Sequence, residues 1–349
     1  MAKTTAADRI SSQIASARPR PARACRAGEP DPGGLLMTAK RNSEDALHDI
    51  FRSSFRRRKG LSGPGDDCAQ LRPWPGRLLY QTVDQVVEGV HCKPGTRPAV
   101  MARKLVGRTL SDLAAVGAQP WALSWTIAAG PAPRRDAWLK KLAEAFLHAA
   151  EREQAAVIGG DVSSAPEGSP VVLSCTAIGV ADQAAPGRAG ARPGDMILVT
   201  GRLGGSLRSG RHLAPQPRLA EGRRLIERYR PHAMMDLSDG LAADLPRMLR
   251  ASEVGARVAL DRLPLAVGLH ADLHGFGAAV ADGEDYELLA VLAPRTAQRA
   301  LKDPLLRRTG LTAIGTIEEQ QGLRWTREGK VLRAWKPQPW THDFGSEDA

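Results

Sequence analysis

Segments of period-two and period-3.6 hydrophobicity alternate along this chain, and they do so on both sides of one Gly- and Pro-dense stretch, residues 181–194 (ADQAAPGRAGARPG). That order constrains the fold. Intermixed strands and helices require sheets with helices packed on them, and the break divides the chain into two such units of similar size. Upstream, residues 77–87 (RLLYQTVDQVV) alternate and are β-branched, which predicts a strand. The spacing predicts a helix over 98–116 ended by Gly117, a strand over 121–129 and a helix over 136–151. A short buried strand over 155–159 and a longer one over 169–180 follow. Downstream, strands are predicted at 196–200, 233–236, 257–260, 288–291 and 311–317, with helices at 217–229, 240–251, near 264–274 and at 296–301. The expected class is α/β, in finer terms α+β, with domains at 43–183 and 184–349. A length of 349 residues agrees with two domains.

The first 42 residues stand apart. They are rich in Ala, Arg and Pro, lack helical periodicity and carry no apolar core of a secretory signal. A disordered extension is expected there, with Met37 a candidate start, before a helix over 43–57 that opens on Ser43. This region also explains the charge. Of a net +11, residues 1–60 supply +7, so the excess is not spread over a folded face. No RNP motif, zinc finger or aromatic ladder accompanies it, so nucleic acid is not the expected partner. No stretch approaches the roughly 18 apolar residues of a membrane helix. Cys25, Cys68, Cys92 and Cys175 form no C-x-x-C pair, which suits reduced thiols and a cytoplasmic protein.

The carboxylates carry the chemistry. Asp66 and Asp67 follow Gly63-Pro-Gly65, Asp84 lies inside the first strand, and Asp112 lies in the helix TLSDLAAVGA. Asp161 is expected to end a strand in VIGGD, Asp236 and Asp239 flank a strand-to-helix turn in MMDLSDGL, and Glu284-Asp285 sit in GEDYELL. An Asp among apolar strand residues is costly unless it is paired or bound to a cation. Oxygen-only ligands suit magnesium, and several such ions suit a polyphosphate. There is no G-x-x-x-x-G-K-[ST], no G-x-G-x-x-G opening a helix after a strand, and no kinase H-R-D. Metal ions would then have to neutralise most of the phosphate charge.

The ordered set GPGDDCAQL, TVDQVVEGVHC, RKLVGRTLSDLAAVGAQP, VIGGD, RAGARPGD, MMDLSDGLAADL and GEDYELL resembles the thiamine-monophosphate kinase family of the aminoimidazole ribonucleotide synthetase-like superfamily, over about residues 43–345. The resemblance implies a mixed-sheet, barrel-like N-terminal dimerisation domain that binds nucleotide and metal, plus a C-terminal α/β domain for substrate. It implies ATP-dependent phosphorylation of thiamine monophosphate with several magnesium ions in a homodimer. The positions that match the family's metal ligands are Asp67, Thr82, Asp84, Asp112, Asp161, Asp236 and Asp239. Asp84, Asp112 and Asp161 would be the catalytic ones. Gly160, Asp161, Arg188 and Ser238 match ATP contacts; His91, Glu284 and Trp340 match substrate contacts.

Some residues depart from the family pattern. Val83 stands in Thr82-Val83-Asp84, where the family offers a side-chain oxygen, and Asp282 replaces a Gly before Gly283-Glu284-Asp285. Val162-Ser163-Ser164 follow Asp161, the segment 204–213 is short, and Arg108 adds a cation four residues before Asp112 on the same helix face. Two alternatives remain open: another ATP-dependent enzyme of the superfamily, or a basic nucleic-acid-binding protein that has lost activity.

Overall fold

The computed structural model describes residues 75–339. The extension, the helix over 43–57, the residues Asp66, Asp67, Cys25 and Cys68, and the C-terminal Trp340 lie outside the described residues.

The first half is a four-stranded sheet in the order β1-β4-β2-β3, from β1 (Leu78–Val87), β2 (Gln119–Ala129), β3 (Ala156–Ser164) and β4 (Val172–Ala181). β4 runs antiparallel to both β1 and β2, while β2 and β3 are parallel. Two helices cover one face: α1 (Pro98–Ala115), which begins on a proline suited to a first helical turn, and α2 (Arg135–Arg152). Met101, Leu105 and Leu110 of α1, Leu142 and Phe146 of α2, and Leu123 and Leu173 of the sheet are shut off from water. Trp125 stacks on Phe146 with ring centroids 4.6 Å apart.

The second half is a seven-stranded mixed sheet in the order β11-β10-β7-β9-β5-β8-β6. Its strands are β5 (Met196–Val199), β6 (Ala233–Asp236), β7 (Gly255–Ala259), β8 (Leu288–Leu292), β9 (Thr312–Glu318), β10 (Gly322–Arg327) and β11 (Lys330–Val331). Its helices are α3 (Ser206–Ser209), α4 (Leu219–Arg224), α5 (Leu241–Ser252), α6 (Leu273–Ala281), α7 (Pro294–Ala300) and α8 (Pro304–Thr309). A single π-turn, Leu225–Tyr229, extends α4. The mixed α/β class read from the sequence holds. No helix among the described residues is long and apolar enough to cross a membrane.

Two expectations are corrected and two elements are added. β3 does not stop at 159; it runs on through Asp161 to Ser164, paired with β2. The helix near 264–274 lies instead at Leu273–Ala281. Gly268 adopts φ +88°, and Asp272 caps the later start by accepting the Gly275 amide at 2.8 Å. The hairpin β10–β11 is new, as is α8, which is capped by Asp303 accepting the Leu305 amide.

The two halves meet along α1. Ala114 and Ala115 at its end pack in one cluster with Leu198, Leu225, Ile226 and Leu288 of the second half. The approach is close: a Cβ on Gly222 of α4 would stand 1.9 Å from the Ala114 carbonyl oxygen.

Candidate active site

Strand β1 and helix α1 build the first wall. The alternation of β1 sends Thr82 and Asp84 to the helix-covered face, because they pair with Ala177 and Cys175 of the buried core. α1 sets Lys104, Arg108, Ser111 and Asp112 at spacings of four, three and one, so one face of the helix carries all four polar groups. Thr82 Oγ1 donates to Asp112 Oδ2 at 2.5 Å, and Arg108 Nη2 lies 3.1 Å from Asp84 Oδ1.

The second wall comes from the end of β6 and the loop before β8. Ser111 Oγ donates to Asp236 Oδ2 at 2.7 Å across the seam. Lys104, wholly buried, donates to both Glu284 oxygens, at 2.7 and 2.8 Å. Glu284 and Tyr286 hold φ values of +53° and +52°, a backbone conformation that costs non-glycine residues. The Glu284 amide donates to the Ser238 carbonyl at 2.6 Å, which fixes this turn against the MMDLSDGL element.

Electrostatics set this cluster apart. Burial pushes Asp84 up to about 6, with Asp112 and Asp239 adding to the rise and Arg108 opposing it. Asp236 rises to about 8, first through burial and then through the field of Asp112. Burial also raises Asp112, against the Thr82 hydrogen bond and the fields of Arg188 and Arg108. Three carboxylates thus sit desolvated in one another's field, a state that an added cation relieves. Among the described residues, no three His, Cys, Asp or Glu side chains converge tightly enough to enclose an ion unaided. Magnesium does not need such a cage, since it is commonly held by one or two carboxylates with water and substrate phosphates. The donor set fits that ion.

Other residues named from the sequence are placed differently. Asp239 forms an ion pair with Arg247 at 2.6 Å, and Arg247 also pairs with the fully buried Asp244. His91 Nδ1 accepts the Val87 amide at 3.0 Å, closing the turn after β1. Arg188 is exposed, and its field reaches Asp112.

Gly160 and Asp161 are not brought to the cluster. Asp84, Cys175, Trp125 and Gly160 form one cross-strand row; Gln85, Ser174, Thr126 and Asp161 form the next. Adjacent rows face opposite sides of a sheet. Asp161 is therefore exposed on the side away from Asp84, at the far edge, and takes a hydrogen bond from Ser163 at 3.0 Å. Three strand spacings separate the two edges, about 14 Å. Lys104 and Ser111 belong to the site without matching any of the motif positions, and their helical spacing to Asp112 is the signal in the sequence that places them there.

Comparison with known proteins completes the picture. The profile of the AIR synthase related protein N-terminal domain matches residues 65–181, and that of its C-terminal domain matches residues 192–327. A thiamine-monophosphate kinase of Rhodopirellula baltica is 36% identical over 279 residues, covering 76% of this chain and 85% of that protein. The thiamine-monophosphate kinase of Escherichia coli K12 is 35% identical over 306 residues, covering 78% and 90%. Among solved structures, thiamine-monophosphate kinase from Stenotrophomonas maltophilia K279a superposes with a TM-score of 0.71 at 33% identity, over 82% of this chain and 97% of that one. AaThiL complexed with AMPPCP and TMP gives 0.65 at 26% identity, over 78% and 89%.

Proposed function

Because the chain belongs to the thiamine-monophosphate kinase family, we propose that it transfers the γ-phosphoryl group of ATP to thiamine monophosphate, giving ADP and thiamine diphosphate. The observation that carries this reading is the oxygen-only cluster at the seam: Thr82, Asp84 and Asp112 on one wall face Asp236 on the other. The acceptor is already a phosphate anion, so no protein base or nucleophile is required. Its oxygen forms a bond to the γ-phosphorus as the bond from that phosphorus to the bridging oxygen of ADP breaks. The two cysteines among the described residues support this economy. Both are buried, and burial pushes the Cys175 thiol up to about 12, far from a reactive thiolate.

Asp84, Asp112 and Asp236, with Thr82, are the residues we assign to magnesium, joined by Asp67, Asp161 and Asp239. When bound, the ions would neutralise phosphate charge and orient its oxygens. The chain's own groups prepare the site. Thr82 and Ser111 each hold one oxygen of a carboxylate, which fixes the orientation of Asp112 and Asp236. Gly160, Asp161, Arg188 and Ser238 are assigned to the nucleotide, and His91, Glu284 and Trp340 to the thiamine end. Residues 43–183 would then form the nucleotide and metal domain and 184–349 the substrate domain of a cytoplasmic enzyme. The position of Asp161 supports a homodimer. It lies on the face of the first sheet away from the two helices, the same face as the 62% exposed Val83 at the opposite edge, where a second copy could complete a site that one chain leaves divided.

The test is a coupled assay for thiamine diphosphate with ATP, magnesium and thiamine monophosphate, using thiamine and aminoimidazole-type substrates as controls. Product is expected from thiamine monophosphate alone. Turnover of an aminoimidazole substrate in its place would refute the assignment.

A further inference from the structure

Of the polar groups on the inward face of α1, Lys104 and Ser111 have their bonds across the seam and Asp112 has Thr82. Arg108 is only partly engaged. Its Nη2 pairs with Asp84, but Nε and Nη1 are closed off from solvent with no hydrogen-bond partner among the described residues. The side chain is 14% exposed and stands in the field of Glu284 and the Tyr286 phenol as well as Asp84. An unmatched buried donor costs about 1–3 kcal/mol, more when charged, so this arrangement is incomplete as it stands. The groups that match an unmatched, charged N–H donor are the oxygens of a phosphate or carboxylate.

We propose that Arg108 is a phosphate-binding residue of this enzyme, with Nη2 holding Asp84 while one of the two unmatched donors, Nε on one side of Nη2 or Nη1 on the other, takes an oxygen of a bound substrate phosphate. It would thereby supply, as a fixed part of the chain, some of the positive charge that otherwise falls to magnesium. This inference rests on the phosphoryl-transfer reading above and goes beyond it, since the family resemblance assigns Arg108 no role. Its position fits either phosphate source: it lies one helical turn before Asp112, between Asp84 and the Glu284 turn.

Binding is measured by calorimetry with AMPPCP and with thiamine monophosphate separately, each in EDTA and in saturating magnesium. The wild type is expected to bind at least one of them in EDTA. Arg108→Gln is expected to weaken that metal-free binding about tenfold or more, a loss of about 1.4 kcal/mol or more, and to weaken binding less in magnesium. The probe that loses affinity identifies whose phosphate is held. The double variant Asp84→Asn/Arg108→Gln separates a merely structural role. If Arg108 only neutralised Asp84, the double variant would regain wild-type metal-free affinity, and that result overturns the proposal. So does equal metal-free affinity of wild type and Arg108→Gln for both probes, or no metal-free binding by the wild type. Should Arg108→Gln fail to fold, Arg108→Lys decides, because it keeps the charge but cannot hold Asp84 and offer further fixed donors at once. Weakened metal-free binding then supports the contact, and unchanged binding overturns it. Thiamine diphosphate formation by the wild type is assayed in parallel. Arg108-dependent binding without that product would refute the kinase reading while leaving the phosphate contact in place.

Discussion

Replacing Lys104 with methionine removes the positive half of the ion pair that crosses the seam. The lysine is fully buried and the Glu284 side chain is 20% exposed, with both N–O distances under 3 Å. Removing one partner of a buried pair leaves an uncompensated charge and costs about 3–5 kcal/mol; the partial exposure of Glu284 lowers this to about 2–4 kcal/mol. At roughly 2–4 °C per kcal/mol, the melting temperature should fall by about 4–16 °C. Replacing both partners, Lys104→Met with Glu284→Gln, leaves no orphan charge and should recover most of that loss, to within about 1.5 kcal/mol of wild type. Urea titration of the four proteins in a double-mutant cycle gives the coupling directly. Glu284 is assigned to the thiamine end, so Lys104→Met should raise KM for thiamine monophosphate more than KM for ATP. A single variant with an unchanged midpoint, or a double variant as unstable as the sum of the singles, would refute the reasoning.

Other perturbations test separate parts. Asp84→Asn should reduce turnover by roughly several hundredfold, the scale of losing one strong electrostatic contact, and normal turnover at low magnesium would rule out its assignment. Gly222→Ala places a methyl against the Ala114 carbonyl and should cost about 1–3 kcal/mol in thermal or urea unfolding; an unchanged stability would contradict the close approach. Burial pushes Asp285 up to about 8 despite Arg211, so between pH 4 and 8 the unfolded chain is ionised while the native carboxyl keeps its proton. Its contribution therefore falls as pH rises through that window and is constant above it. Asp285→Asn should flatten this slope, as read from unfolding free energies at pH 5 and pH 9; an unaltered slope would show that Asp285 is not its source.

Much of this was legible in the residues. Strand β1 and helix α1 carry clean periods of two and 3.6, and Asp84 and Asp112 stood out because charge among apolar neighbours needs a reason. The face of Asp161 was not legible. A β-bulge between Leu123 and Ser124 shifts the pairing of β3, so Val157 and Gly160, three residues apart, lie in rows of the same helix-covered face. Simple alternation through VIGGD does not reveal that shift. Gly159-Gly160 also made the strand look finished, although the ladder continues to Ser164. The hairpin over 322–331 leaves no clear period in the sequence because its short strands are mostly polar. Arg108 was visible as an extra cation, but its bond to Asp84 depends on β1 and α1 packing together, which no local pattern records.

Helix α1 belongs to two interiors at once. Its middle fills the core of the first sheet, and Ala114 and Ala115 fill a cluster of the second half. Neither half can lose its order without stripping a shared wall from the other. In a calorimeter the chain should therefore absorb heat in a single peak, with van't Hoff and measured enthalpies in agreement. For the same reason an exchange of halves with a distant relative would have to carry α1's partners along with it. The unit that evolution can trade is the helix together with Gly222, Asp236 and Glu284, not the stretch of chain on either side of the linker.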